Sequence, residues 1–386
     1  MGDGFGKLVA AYRRQRGWTQ KELAERWGFS REYVCQIERG MRKLEKQEQV
    51  TKLADILGIP EEKLAAVGKT VRRLYPPVEG READDALLEA LLVPAETQVK
   101  LSWLVWHGDT IGLVAMEPQL HQLIIQLENA LALYHGQFSR QVFRLLAYAH
   151  EMLGKFAVDR METATASQHF QVMYDIAEEI QDQDMLMQAT LHQADMFRRR
   201  GWQQASWNRL NAAQRLAPLA SPYLQGVLHK IRARTHYLWG DEQAFLREIA
   251  AAEEIAAQTA STLDTANAEF DPVEVLQERA HGYTMLWQPE KALALYEQTD
   301  RLKMFRPKRE LGSYVIVKAQ AFCYYGELDQ GLQLAHEGIQ LATSYQSSRY
   351  VMRLRQMSDR LSQTKLGAEK PLLRFRREVY ATLENM

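Results

Sequence analysis

Cysteine is nearly missing from this chain: Cys35 and Cys323 are the only two among 386 residues, and they lie far apart in sequence. They can assemble neither a disulfide framework nor a four-thiolate zinc site, and a reducing cytoplasm is the compartment that suits such usage. Long apolar runs are missing as well. The stretches LVWHGDTIGLVAM at 104–116 and LIIQL at 123–127 are broken by His, Asp, Gln or Gly well short of the roughly 18 residues that a membrane span needs. The opening MGDGFGKLVAAYRRQRGW sets basic residues inside an amphipathic stretch and has no secretory cleavage pattern, so neither export nor membrane insertion is expected.

Strand signals are equally scarce. There is no sustained alternation of β-branched and polar residues, and no Asn-Gly or Asp-Gly turn between apolar runs. Catalytic signatures fail on inspection. Gly68-Lys69-Thr70 imitates the end of a phosphate-binding loop, but Lys63 stands where the leading glycine would have to be. His336-Glu337 is followed by Gln340 and His150-Glu151 by Gly154 and Lys155, so neither becomes a zinc-protease motif. No nucleophile elbow occurs, and the ten histidines are scattered. No enzyme, cofactor or metal is expected.

What the chain does have is helix punctuation. Thr19 with Glu22 forms a capping box, and Pro222, Pro272, Pro289 and Pro371 stand where first-turn prolines would. The predicted fold class is all-α. At 46% hydrophobic and 25% charged residues, the chain has the composition of a globular protein with room for two or three domains. The formal net charge of -1 conceals an asymmetry: residues 1–75 hold 16 Lys and Arg against 10 Asp and Glu, while the rest is acidic. A small basic module on an acidic body points to an anionic partner for the module and a separate task for the body. Pro76-Pro77, the only such pair, resists helix continuation. Domains are therefore placed at 1–69 and 97–386, with a linker over 70–96 that contains a short helix candidate, Ala86 to Leu92.

The module reads as five helices, at about 5–16, 19–27, 30–38, 46–57 and 60–67. Within it, Leu23, Ala24, Val34 and Ile37 supply apolar contacts between two steeply crossing helices, with Ala24 small where they approach closely. Gly28 permits a left-handed turn, Ser30 can cap the following helix and Gly40 ends it. The segments Thr19-Gln20-x-x-Leu23-Ala24-x-x-x-Gly28-x-Ser30 and Ile37-Glu38-Arg39-Gly40 resemble the XRE-type, or lambda-repressor-like, helix-turn-helix family over residues 5–67. Leu44 departs from it, since many members have a proline there. The resemblance implies binding to double-stranded DNA, with Arg31, Glu32, Tyr33 and Gln36 meeting base edges and Gln20 and Arg39 holding phosphates. Arg13, Arg14, Arg42 and Lys43 would extend the phosphate footprint, and Glu38 would serve as the structural partner of a nearby arginine. Each of these charges could instead be a solvated surface group.

From about residue 138 a small-aromatic-glycine pattern recurs: Ala194, Phe197, Gly201, Ala213, Pro218, and again Ala319, Phe322, Gly326, Gly331, Gly338, with Ala280, Tyr283, Ala292 and Tyr296 filling part of the same template. Repeat starts fall near 187, 226, 273 and 312, with a weaker unit near 140 and a closing helix pair at 347–363 and 371–384. The pattern resembles the tetratricopeptide repeat, although its spacing exceeds the usual period of about 34 residues. An irregular helical bundle is the alternative. The resemblance implies that the first helix of each unit lines a concave face, bringing Asp195, Arg198, Lys230, Arg234, Tyr237, Gln277, His281, Gln320 and Tyr324 onto it. The domain order is similar to that of peptide-pheromone-responsive regulators in Gram-positive bacteria, which implies a short signalling peptide as ligand and quorum sensing as the setting. The other readings are a repeat body that binds a partner protein or only dimerises. A homodimer on a near-palindromic operator is expected, with Leu372, Leu373, Phe375 and Tyr380 supplying part of the contact.

Overall fold

The computed structural model describes residues 3–38, 52–53, 56–59, 85–108, 111–133, 138–259, 270–300 and 308–386. The chain divides into two compact units, Met1–Glu82 and Ala83–Met386. Helices form both, and no strand occurs among the described residues.

The first unit contains α1 (Asp3–Gln15), α2 (Gln20–Trp27) and α3 (Arg31–Glu38). The local chemistry sets these boundaries. The Thr19 hydroxyl accepts from the Glu22 amide at 3.2 Å while the Glu22 carboxylate accepts from the Thr19 amide at 2.6 Å, so two orphan donors at the start of α2 are satisfied reciprocally. Gly28 ends α2 in the left-handed region at φ 85°, a conformation that a side chain would strain. Ser30 then caps α3 by accepting the Tyr33 amide at 3.1 Å. The core joins Val9, Leu23, Ala24, Trp27, Val34 and Ile37 with Leu53, Leu57 and Ile59. Most of the expected helices at 46–57 and 60–67 lies outside the described residues, as do Gly40 and Leu44.

The second unit opens with α4 (Asp85–Gly108) and α5 (Ile111–Leu133). The candidate Ala86–Leu92 is thus the first part of a longer helix. Six consecutive helix pairs follow: α6 (Ser139–Asp159) with α7 (Thr163–Glu179), α8 (Gln183–Arg199) with α9 (Gln203–Leu216), α10 (Pro222–Trp239) with α11 (Glu242–Thr259), α12 (Pro272–Met285) with α13 (Pro289–Asp300), α14 (Lys308–Tyr325) with α15 (Leu328–Ser344), and α16 (Ser348–Leu361) with α17 (Lys370–Glu384). The four repeat starts read from sequence each fall in the first helix of a pair, and prolines open α10, α12 and α13 as expected.

Small residues let the pairs close. Ala194, Ala213, Ala280, Ala292, Ala319 and Ala335 are all fully buried. At Gly282 on α12 a Cβ would overlap the ring of Phe245 from α11, so only hydrogen lets that phenyl group sink completely into the core. Complete burial of such a ring contributes about 1.5–3 kcal/mol. Leu372, Phe375 and Val379 of α17 are likewise buried against α15 and α16. This corrects the expected subunit contact, because Leu372 and Phe375 are already spent on the chain's own core, while Leu373 is 39% exposed and half-buried Tyr380 donates its hydroxyl to Asp359 at 3.1 Å.

The stack also closes on itself. Each first helix from α8 to α16 packs against the next, and Gln188 and His192 of α8 both bond Glu151 of α6 at 2.7 Å. At the far end α14 packs on α4, and α16 returns to α6. Asp159, which ends α6, accepts bonds from Arg309 on α14, from the Ser347 hydroxyl at 2.9 Å and from Arg349 on α16 at 3.0 Å. The Arg309 guanidinium lies 3.9 Å from the centre of the Trp106 ring of α4. The end of α6 thus meets the beginning of α16, so the turn closes with an offset, like a split washer.

Candidate functional site

In the first unit, α3 follows the tight turn at Gly28 and keeps one face open. Arg31 and Gln36 are exposed, and Cys35, one turn on from Arg31, shares that face and is half-exposed. Tyr33 sits differently: its ring stacks on Phe29 at 4.7 Å and lies 5.7 Å from Trp27, so it leans on an aromatic cluster at the margin of the face. Glu32 belongs to the same helix. Arg39, Arg42 and Lys43 lie outside the described residues.

The opposite side of α3 is tied down. Glu38 accepts from Arg13 Nε at 2.5 Å, from Arg13 Nη2 at 3.0 Å and from Gln20 Nε2 at 2.8 Å, and Arg13 also donates to the Trp18 carbonyl at 2.6 Å. One carboxylate therefore joins α1, α2 and α3. Arg13 had been expected to widen a phosphate footprint. It is instead buried in this pair, because a guanidinium taken out of water needs a counter-charge and the last residue of α3 provides it. Arg14, its neighbour, is exposed.

In the second unit, the side chains expected on a concave face fall into two groups. The first is a network across three helices. Asp195 on α8 takes Arg198 and Arg199, each at 2.6 Å, and lies 3.8 Å from Arg234 on α10. Arg234 donates to Glu278 on α12 at 2.5 Å, and the Tyr237 hydroxyl meets Glu278 at 3.0 Å and His281 Nδ1 at 3.1 Å. Lys230 pairs with Glu274 at 3.4 Å. Burial alone would raise the Asp195 and Glu278 carboxyls, but the surrounding arginines, with His281 beside Glu278, hold both well below the usual carboxylate range. Burial pushes His281 down to about 4, against the pull of Glu278.

The second group is apolar and aromatic. Gln320 donates to the Tyr324 hydroxyl at 2.9 Å, and Tyr324 stacks on Trp287 at 4.3 Å, with the Met285 sulfur 3.5 Å from Gln320. Gln277 is half-buried on α12 and hydrogen-bonds to neither group. Sequence reasoning named Asp195 and His281 but missed Glu274 and Glu278 of the first network. Glu274, Glu278 and His281 stand at i, i+4 and i+7 of one helix, a spacing that marks a single face and could have shown them. It also missed Arg349 and Arg353, which fall in the pair assigned to capping the stack.

A family model described as a helix-turn-helix domain matches residues 5–67. That match supports DNA binding by the first unit and leaves the paired helices outside its span. No curated protein matches the chain. Among the described residues, no helix is long and apolar enough to cross a membrane.

Proposed function

We propose that this protein is a sequence-specific DNA-binding transcriptional regulator whose tetratricopeptide-like stack senses a signal on its interior. The observation that carries the reading is α3: a helix capped by Ser30, braced from behind through Glu38, and presenting exposed Arg31 and Gln36 after a tight turn. A helix of this kind fits the major groove, where glutamine pairs bidentately with adenine and arginine with guanine. Gln20, one of whose two amide N–H groups already serves Glu38, would reach a phosphate with the other, and Tyr33 would touch DNA by its edge. Two such modules on half-sites about 34 Å apart give the surface that specific binding needs, so we assign a homodimer and a near-palindromic operator. Its subunit contact draws on surfaces other than Leu372 and Phe375.

Selection of bound DNA from a random pool, followed by titration of the selected site and of an unrelated duplex, tests this. Gln36→Ala should weaken the selected site by about 1–3 kcal/mol and leave the unrelated duplex almost unaffected. Equal loss on both would remove Gln36 from base recognition. A second reading, a stack that docks a partner protein, is favoured by Trp202, Trp239, Trp287 and Tyr325, which stand 43–56% exposed where the two helices of successive pairs join. Copurified small molecule or peptide, looked for by mass spectrometry of the denatured protein, favours the sensor; a stable protein complex lost with Trp202→Ala and Trp287→Ala favours docking.

A further inference from the structure

One arginine of the stack, Arg353, has no carboxylate partner among the described residues. Arg349 and Arg353 stand one turn apart on α16, and three carboxylates of the stack already hold other arginines or Arg349 itself. Asp195 holds Arg198 and Arg199 at 2.6 Å, Glu278 holds Arg234 at 2.5 Å, and Asp159 holds Arg349 at 3.0 Å together with Arg309. Arg353 is left with a neutral partner: it donates to the Ser313 hydroxyl on α14 at 2.8 Å and makes no ion pair among the described residues. A guanidinium offers five donors and a permanent charge, and one hydroxyl uses little of either.

The local field agrees. Burial lowers the proton affinity of Arg353, and Arg349 and Arg234 lower it further. Arg199 is pushed down to about 10, chiefly by burial, with Arg349, Arg198 and Arg234 working against Asp195. His281 and Tyr237 feel Arg353 in turn, so the positive region extends from α16 across to α8, α10 and α12. Yet these side chains are not sealed. Arg199 keeps 28% and Arg349 22% of their side-chain exposure, so solvent reaches both. Holding like charges together there costs stability, a pattern that proteins keep where a ligand of opposite charge is to be received.

We propose that the interior of the stack binds an oxyanion, a carboxylate or phosphate group on the signal, at Arg353 and Arg349, one turn apart on α16, with Arg353 as the anchor. This rests on the sensor reading given above and names the chemistry of what is sensed. Planar bidentate donation from a guanidinium suits both oxyanions, and partial exclusion of bulk water strengthens it.

The test is isothermal titration of the full-length protein with inorganic phosphate and with citrate, ionic strength being held constant with potassium chloride. Saturable binding of either is expected, and the preferred ion tells a phosphorylated ligand from a carboxylate such as a peptide terminus. Arg353→Met should weaken that binding about tenfold or more, while the melting temperature of the unliganded protein stays level or rises, because a repelled charge has gone. Arg353→Lys should recover part of the affinity. If Arg353→Met fails to fold, Arg353→Gln, which can keep a bond to Ser313, is read the same way. Heats indistinguishable from those of chloride, or wild-type affinity in the folded variant, would overturn the site. Saturable binding that leaves operator affinity unchanged keeps the site and overturns the sensor reading instead.

Discussion

Replacing Glu38 by glutamine probes how much of the first unit depends on one carboxylate. Glu38 is 5% exposed and Arg13 10% exposed at the side chain, and three bonds converge on the carboxylate from α1 and α2. The amide fills the same volume, yet it leaves the Arg13 charge without a counter-ion and turns one acceptor into a donor facing donors. Removing one partner of a fully buried pair costs about 3–5 kcal/mol. With the residual exposure of these two groups allowed for, about 2–4 kcal/mol is expected, a large share of the 5–15 kcal/mol typical of a whole domain. A double-mutant cycle of Arg13→Met, Glu38→Gln and the pair, followed by urea denaturation and by titration of the selected operator, measures the coupling. The double variant should recover part of the loss, since Met buries well and removes the orphan charge. Operator affinity should fall with Glu38→Gln although Glu38 faces away from DNA. A Glu38→Gln change below about 0.5 kcal/mol, or simple additivity across the cycle, would refute the bracing role.

Three further outcomes are expected. Gly282→Ala should destabilise the second unit by about 1–3 kcal/mol, because the added methyl meets the Phe245 ring in a filled core, and a thermal melt that is unchanged would contradict that packing. Asp159→Ala should cost about 3–5 kcal/mol by stranding Arg309, which is buried, and should loosen α16 from α6; hydrogen exchange that is unaltered in α16 would show that the closure does not depend on Asp159. Burial, with help from neighbouring imidazoles, pushes His150 down to about 3 and His169 to about 4, their Nδ1 atoms 2.9 Å apart. The unfolded imidazoles take protons near pH 6.5 while the folded ones wait until pH 3–4, so stability falls as pH drops from about 6.5 to 4, by on the order of 3 kcal/mol for His150. His150→Gln should flatten the pH dependence of the urea midpoint, and a slope identical to that of the parent would exclude this histidine as its source.

The parts of the fold written in short-range chemistry were legible beforehand. Thr19 and Glu22 are three residues apart, Gly28 follows its helix directly, and Ala280 and Ala319 stand 39 residues apart, the length of one helix pair. The candidate site was read less completely because its contacts cross the molecule. Arg13 meets Glu38 over 25 residues of sequence, and Arg234 meets Glu278 over 44, so local spacing can mark the carboxylate's role or face but not which arginine it meets. Arg31 and Gln36 came out exposed because neither belongs to the apolar set, Val34 and Ile37, that α3 buries. Tyr33 did not, although Phe29 four positions earlier gave the clue that its ring would stack.

A row of helix pairs usually comes apart from its ends, where the outermost unit has one neighbour and unzips first. The Asp159 clasp ties α6, which already carries α4, α5 and α7, to α14 and α16 as well. Its contacts, however, join residues 150 to 190 positions apart. On a chain emerging from the ribosome, Asp159 is made long before Arg309, Ser347 and Arg349, so the end of α6 waits without these partners until the last third of the protein has appeared. Such distant closure is entropically slow, and the turn is the step on which the native state of this unit is completed.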